Sequence, residues 1–455
     1  MSLVAAPPLR TTVPPLSAPP PAAVFVVMLG AMCFHMALCF VNTKVGGVGN
    51  GALIGSEIAI LGAVLMLSYP AIEYGRFLVV GGILFYVVAL ATTRTVVHAE
   101  PLGIKPARDL LIPIAFFFFG MRSADIRRAD RLVAVAAGIA VAVGIVEYAF
   151  PDRFTEVFNI AKFYVDRGAM HAGQSPQSSN LFISGMRPDA LGGRNLLPFL
   201  GEHRVSSVFL EPISAGNFGI IVYMWALVRS LARGRVYWGL FAAAAIMIVL
   251  SDSRFGAMFC VVATGIAVPP PAVGAAIAMS LPGVALAALI FLPDHLEKMH
   301  VMGNGFISRL ILSGHFIGAL DVQNWLGIMT PDFQPFDSGY AYSFIGFGIV
   351  GVAALWVVFW TIGGRGWQFH SYKNLVAAYY AVLLCVSNSP YTIKTASLLW
   401  FLLGVLSAAR DPALMPLRRS QYQRNVPGRA PAARSLPSSG NAPRRQSVRA
   451  PTPGA

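Results

Sequence analysis

Long apolar runs, separated by short charged turns and by two long polar intervals, occupy the chain between residues 22 and 409. A helix that crosses a bilayer needs roughly 17–25 apolar residues. The pattern predicts such helices at 22–41, 52–69, 77–92, 109–121 and 132–150. After a polar interval they resume at 208–227, 236–250, 255–268 and 273–292, and after a second at 340–360, 375–386 and 391–409. The expected fold is all-α, a polytopic integral membrane protein of about twelve transmembrane helices, because helices satisfy their own backbone groups in lipid. The two long loops fall at about 151–207 and 293–338. Within the second, 306–320 reads as a helix that places Ser308 and His315 on one face and Arg309 and Ser313 on a neighbouring one.

Composition supports the membrane class. Charged residues make up 12% of the chain and hydrophobic ones 56%, whereas a soluble domain carries about 25% charged residues. The net charge of +14 is uneven: from Arg410 onward there are nine arginines and one acid, Asp411. Residues 410–455, rich in Pro, Ser, Ala and Arg, read as a disordered tail that favours anionic lipid headgroups. Without aromatic interleaving or an RNA-binding motif, nucleic acid is not an expected partner. Residues 1–21, with seven prolines and one arginine, lack the make-up of a cleaved signal peptide. The domain between, 22–409, is the membrane body. Its four cysteines lie in apolar runs without metal-ligand spacing.

Orientation follows from basic residues in short loops. Arg122, Arg127, Arg128 and Arg131, then Arg229, Arg233 and Arg235, and then the tail fall on one side, which should be cytoplasmic. Arg94, Lys105 and Arg108 fall on the other side and count against this orientation. Both long loops then face outward, to the periplasm if the cell is a bacterium.

Candidate chemistry gathers at that outer side. There is no Walker A sequence, no H-E-x-x-H and no G-x-S-x-G. The stretch RVSSVFLEPISAGNFG, residues 204–219, brings Arg204 and Glu211 to the point where a loop enters the membrane. Ionisable groups at that depth are costly unless paired, hydrated or in use. Ser253 and Arg254 close the outward turn SDSR, and Arg309 stands in the second loop. Each arginine alone reads as an interface anchor; together they suit a diphosphate, whose oxygens guanidinium groups bind by paired hydrogen bonds. FDSGYAYSFIGFGIVGV, residues 336–352, sets Asp337 at the mouth of a helix, as N-cap or as a base.

These pieces resemble the O-antigen ligase and polymerase superfamily, and most of all its Wzy-type polymerases of exopolysaccharide repeat units. The matching residues are Arg204, Phe209 and Pro212, then Ser253 and Arg254, Arg309, and Asp337, Gly339, Tyr340, Gly348 and Gly351. The resemblance implies a glycosyltransferase of the bacterial inner membrane, inverting and needing no metal or other cofactor. It would act on polyprenyl-diphosphate-linked oligosaccharides, with chain-length regulators and export proteins as possible partners. It implies that Arg204, Arg254 and Arg309 hold the diphosphate, with Ser253 and Tyr340 in the pocket. The base is open between Asp337, His315 and Glu211. Ligases carry His where this chain has Asp337, which favours a polymerase. A lipid-linked sugar flippase, another polysaccharide transporter or an O-antigen-type ligase is the alternative.

Overall fold

The computed structural model describes residues 19–69, 74–171, 180–187, 194, 196–298, 306–335 and 337–409. Each apolar run forms a helix. In chain order the helices are α1 (Pro21–Lys44), α2 (Asn50–Ser68), α3 (Tyr74–His98), α4 (Lys105–Ser123) and α5 (Ile126–Ala149). Two short helices follow in the first loop, α6 (Pro151–Val157) and α7 (Ile160–Asp166). Next come α8 (Pro212–Arg233), α9 (Trp238–Leu250), α10 (Arg254–Ala267) and α11 (Pro271–Phe291). The second loop holds α12 (Pro293–Lys298), α13 (Phe306–Gly318) and α14 (Val322–Leu326), before α15 (Gly339–Thr361), α16 (Trp367–Leu383) and α17 (Ile393–Ala408). Among the described residues there is no strand beyond an isolated bridge between Met186 and His203.

Seven helices, α1, α2, α3, α5, α8, α11 and α15, are long and apolar enough to cross a membrane. That is the make-up of a polytopic membrane protein. Its lipid-facing surface is visible on α3, where Phe77, Leu78, Val79, Phe85 and Val88 are exposed; apolar area of that extent is unusual on a soluble protein. The centre of the bundle is α8, α16 and α17, each buried along most of its length. α4 and α17 touch backbone to backbone. A Cβ on Gly120 would overlap the Phe401 carbonyl oxygen, and one on Gly404 would overlap that of Phe117. Small residues at such crossings replace the hydrophobic drive that lipid does not supply.

Side-chain bonds sort the helix ends into two groups. At the end that carries both long loops, Asn42 donates to Asp166, Lys44 to the Glu156 carbonyl, and Lys394 pairs with Glu211. At the other end, Arg122 donates to the Leu67 carbonyl, Arg128 to that of Pro19, and Arg229 bonds Asp130 and Gln368. Successive long helices therefore run up and down. Arg122, Arg128 and Arg229, from two of the arginine clusters, share this second end.

The three basic residues that counted against this orientation have local uses. Arg94 lies inside α3 and is buried. It donates to the carbonyls of Gly327 at 2.7 Å, Ile345 at 2.5 Å and Gly346 at 3.3 Å. Those last two carbonyls have lost their helical amides because α15 breaks at Gly348 (φ 66°, ψ 162°), a left-handed conformation that favours glycine. Tyr86 takes the carbonyl of Phe347 in the same way. Arg108 pairs with Glu57 and Asp109, and the Lys105 ammonium lies 5.0 Å from the centre of the Tyr342 ring.

One local expectation changes. The N-cap of α15 is Ser338, whose hydroxyl accepts from the Ala341 amide, so Asp337 is not the cap. The first loop is partly helical, in α6 and α7, while 172–179 and the tail 410–455 lie outside the described residues.

Candidate functional site

The segment that carries Arg204 is fixed by a carboxylate buried at the end of α5. Glu147 accepts the amide of Ser206 at 2.9 Å and that of Ser207 at 2.5 Å, and meets the His203 imidazole at 3.2 Å. Ser207 and Leu210 sit in left-handed backbone (φ 51° and 61°), a strained state for residues with a side chain. The Ser207 hydroxyl donates to the Ala140 carbonyl. α8 then starts at Pro212, where the absent amide is no loss.

The outward turn between α9 and α10 comes up against this segment. Asp252, left-handed (φ 48°) and buried, accepts from Arg187 at 2.6 Å and from the Leu196 amide at 3.0 Å. Ser253 caps α10 by accepting from Gly256, and Arg254 is the first residue of that helix. α8 admits the turn because residue 216 is glycine; a Cβ there would overlap the Ser253 hydroxyl. Arg194 ties the turn to the loop through the carbonyls of His203 and Val249.

Arg187, Arg204, Arg254 and Arg309 line one small cleft of about 90 Å³, together with Asn217, Asp252 and Ser253. Arg204 spends two donors on backbone carbonyls, Ser251 at 3.0 Å and Ser184 at 3.1 Å. Among the described residues no carboxylate pairs with it. Burial, then the charges of Arg187, Arg309 and Arg194, push its pKa down to about 10 against the pull of Asp252. Arg309 pairs with Asp337 at 2.9 Å, and that carboxylate is 47% exposed. The cleft thus holds four guanidinium groups against the carboxylates of Asp252 and Asp337, and both carboxylates are already matched. It attracts anions and offers a metal cation little.

The structure brings together Arg204, Arg254, Arg309 and Ser253, and joins Asp337 to them through Arg309. The other residues read from the sequence lie elsewhere. Glu211 turns away from the cleft and is held by Lys394 at 2.9 Å, Ser214 at 2.8 Å and Tyr164 at 2.5 Å. Burial alone would raise its pKa, but these partners hold it below the ordinary carboxylate value. His315 is exposed and meets Glu297 at 3.5 Å. Six residues beyond Arg309 on α13, it faces about a third of a turn away from it. Tyr340 is buried, gives its hydroxyl to the Ala381 carbonyl and lines a separate apolar cavity of about 690 Å³.

Sequence reasoning passed over Arg187, Asp252, Asn217 and Glu147. Asp252 stands inside the SDSR turn and was visible there; Glu147 ends an apolar run and gave no sign of its role. Comparison with family models, curated proteins and solved structures finds no match for this chain.

Proposed function

We propose that this protein is a membrane-embedded glycosyltransferase that polymerises polyprenyl-diphosphate-linked oligosaccharide repeats, with release of the polyprenyl diphosphate. One observation carries the reading: four arginines from separate parts of the chain converge on one cleft beside a carboxylate. A diphosphate leaving group is the ligand whose charge and oxygen geometry such a cleft suits. The resemblance to the O-antigen ligase and polymerase superfamily supports the same conclusion, and it alone supplies the inverting stereochemistry. The reading includes twelve crossings, adding α4, α9, α10, α16 and α17 to the seven long helices. It also sets the cleft at the periplasmic face of a bacterial inner membrane.

In this account Arg204, Arg254 and Arg309 bind the diphosphate oxygens, while Arg187 stays with Asp252. The donor competes with Asp337 for Arg309, so its arrival releases the carboxylate to serve as a base beside the sugar that the acceptor hydroxyl attacks. Asp337 then takes the proton of the acceptor hydroxyl. The hydroxyl oxygen bonds to the anomeric carbon as the bond from that carbon to the phosphate oxygen breaks. The electron pair leaves on the diphosphate, where the arginines stabilise the growing charge.

The Asp337→Asn variant tests the base. Because Ser338 caps α15, the change leaves the helix start intact. Donor binding should persist while turnover falls by about a hundredfold or more, the ordinary weight of a general base. Wild-type polymer yield from this variant would remove Asp337 from the role.

A further inference from the structure

The apolar cavity of about 690 Å³ behind Tyr340 has no part in the reaction above. It lies among α3, α4, α15, α16 and α17. Tyr340, Ser343 and Leu384 line it near the long loops, and Gly75, Arg76 and Gly363 line it at the opposite end of the bundle. Beyond the break in α15 it follows that helix from Phe347 to Thr361, about 20 Å at 1.5 Å per residue. The cavity is therefore a long groove. Gly75 and Val79 of α3 line it and are also exposed, so it opens to the surface that faces lipid.

Water is a poor filling for this groove. The hydroxyls on its walls are already bonded: Tyr340 donates to the Ala381 carbonyl, Tyr380 to that of Pro390, and Tyr391 pairs with Ser343. A buried water needs two to four polar partners. An unfilled groove would forfeit the dispersion contacts of its walls, and an acyl chain supplies them.

Two observations choose the lipid. First, a wall separates the groove from the arginine cleft. Leu383 and Ser387 line the cleft, whereas Leu384 and Tyr340 line the groove. Between them the Tyr340 amide donates to the Leu384 carbonyl at 3.0 Å, and a Cβ on Gly339 would overlap the Ser387 carbonyl oxygen. A donor whose diphosphate sits in the cleft has no passage there for its tail. Second, among the described residues that line the groove the one charged side chain is Arg76, exposed at the end away from the long loops. Its Nη1 lies 3.4 Å from the Met121 sulfur, a weak acceptor. Arg122, next to Met121, and the exposed Arg365, two positions past Gly363, stand at the same end. The described carboxylates at this end, Asp125 and Asp130, are engaged by the first amides of α5 and by Arg229. Basic side chains at headgroup level attract anionic lipids.

We infer that the groove binds one anionic phospholipid of the leaflet away from the long loops, with an acyl chain along α15 and its phosphate at Arg76. The site goes beyond the glycosyltransferase reading and does not depend on it.

The test counts bound lipid. Full-length protein, purified in detergent and stripped of lipid, is titrated with phosphatidylglycerol and, separately, with phosphatidylcholine of the same acyl chains, and native mass spectrometry reads the molecules held. Wild type should hold one phosphatidylglycerol, about tenfold or more tighter than phosphatidylcholine, the value of a hydrogen bond to a charged group. Arg76→Gln should lose that preference and still hold a lipid. Val80→Trp, which sets a large ring into the groove from α3, should hold neither. Thermal melting of each variant checks that it is folded, and if Val80→Trp does not accumulate, Arg76→Gln carries the test. No saturable lipid, equal affinity for the two lipids, an unchanged preference in Arg76→Gln or unchanged binding in folded Val80→Trp would overturn the inference. So would one-for-one displacement of phosphatidylglycerol by polyprenyl diphosphate, since the groove would then belong to the donor. Polymer formation enters none of these outcomes, so this inference and the glycosyltransferase reading fail separately.

Discussion

Glu147 is the most informative residue to perturb, because it links the bundle to the cleft without entering it. Its side chain is fully buried and accepts the amides of Ser206 and Ser207. Glu147→Gln keeps one acceptor oxygen and turns the other into a donor that faces those amides. A hydrogen bond to a charged group contributes about 1.5–3 kcal/mol, so losing one and weakening another costs about 3–4 kcal/mol. The left-handed residues Ser207 and Leu210 each oppose the native conformation by about 1–2 kcal/mol. A weakened anchor therefore lets the segment relax and takes Arg204 with it. The variant, purified in detergent, should unfold at lower temperature than wild type and lose polymer yield, although every cleft arginine is present. Glu147→Asp, which keeps the charge but shortens the reach, should fall between. Unchanged melting and yield in Glu147→Gln would refute the argument that this carboxylate holds the Arg204 segment in place.

Arg204→Ala should accumulate in membranes yet lose about a hundredfold or more in polymer yield, as when a preorganised transition-state donor is removed. Arg204→Lys should rescue poorly because it keeps the charge without the planar fork; normal yield from the alanine variant would make Arg204 an interface anchor. Glu211 has a depressed pKa, so its stabilising contribution is complete above the ordinary carboxylate value of 4.5 and is lost as pH falls through its folded value. Glu211→Gln leaves Lys394 unpaired and should cost about 3 kcal/mol near neutral pH, the low end for a broken buried pair, because the Glu211 side chain is 26% exposed. The stability of the same variant should fall less than that of wild type as pH drops below 4.5, and an identical pH–stability curve would contradict the assignment.

Much of the fold could be read from the sequence because lipid imposes a simple rule: a run of apolar residues must be a helix. The edges were less clear. α4 runs from Lys105 to Ser123, well beyond its apolar stretch 109–121, because Arg108 pairs with both Asp109 and Glu57 inside the bundle. The site was half visible. Arg204, Ser253, Arg254 and Arg309 stood out as polar residues at loop–helix junctions, where a charge is unusual. Their meeting in one cleft depends on features with no local signature: Glu147 at the end of an apolar run, the glycine at 216 that admits the turn, and Arg187 reaching Asp252 from 65 positions away. Arg94 was misleading for a related reason. It looked like a loop charge, and its partners are the carbonyls of a helix break more than 200 residues on.

The central claim is best tested by incubating the purified wild-type protein with a polyprenyl-diphosphate-linked oligosaccharide and no other protein. The account predicts a ladder of products that grow by whole repeats, with one polyprenyl diphosphate released for each linkage formed. Intact donor after incubation with folded protein, or movement of the donor across a vesicle membrane without any new glycosidic bond, would contradict it.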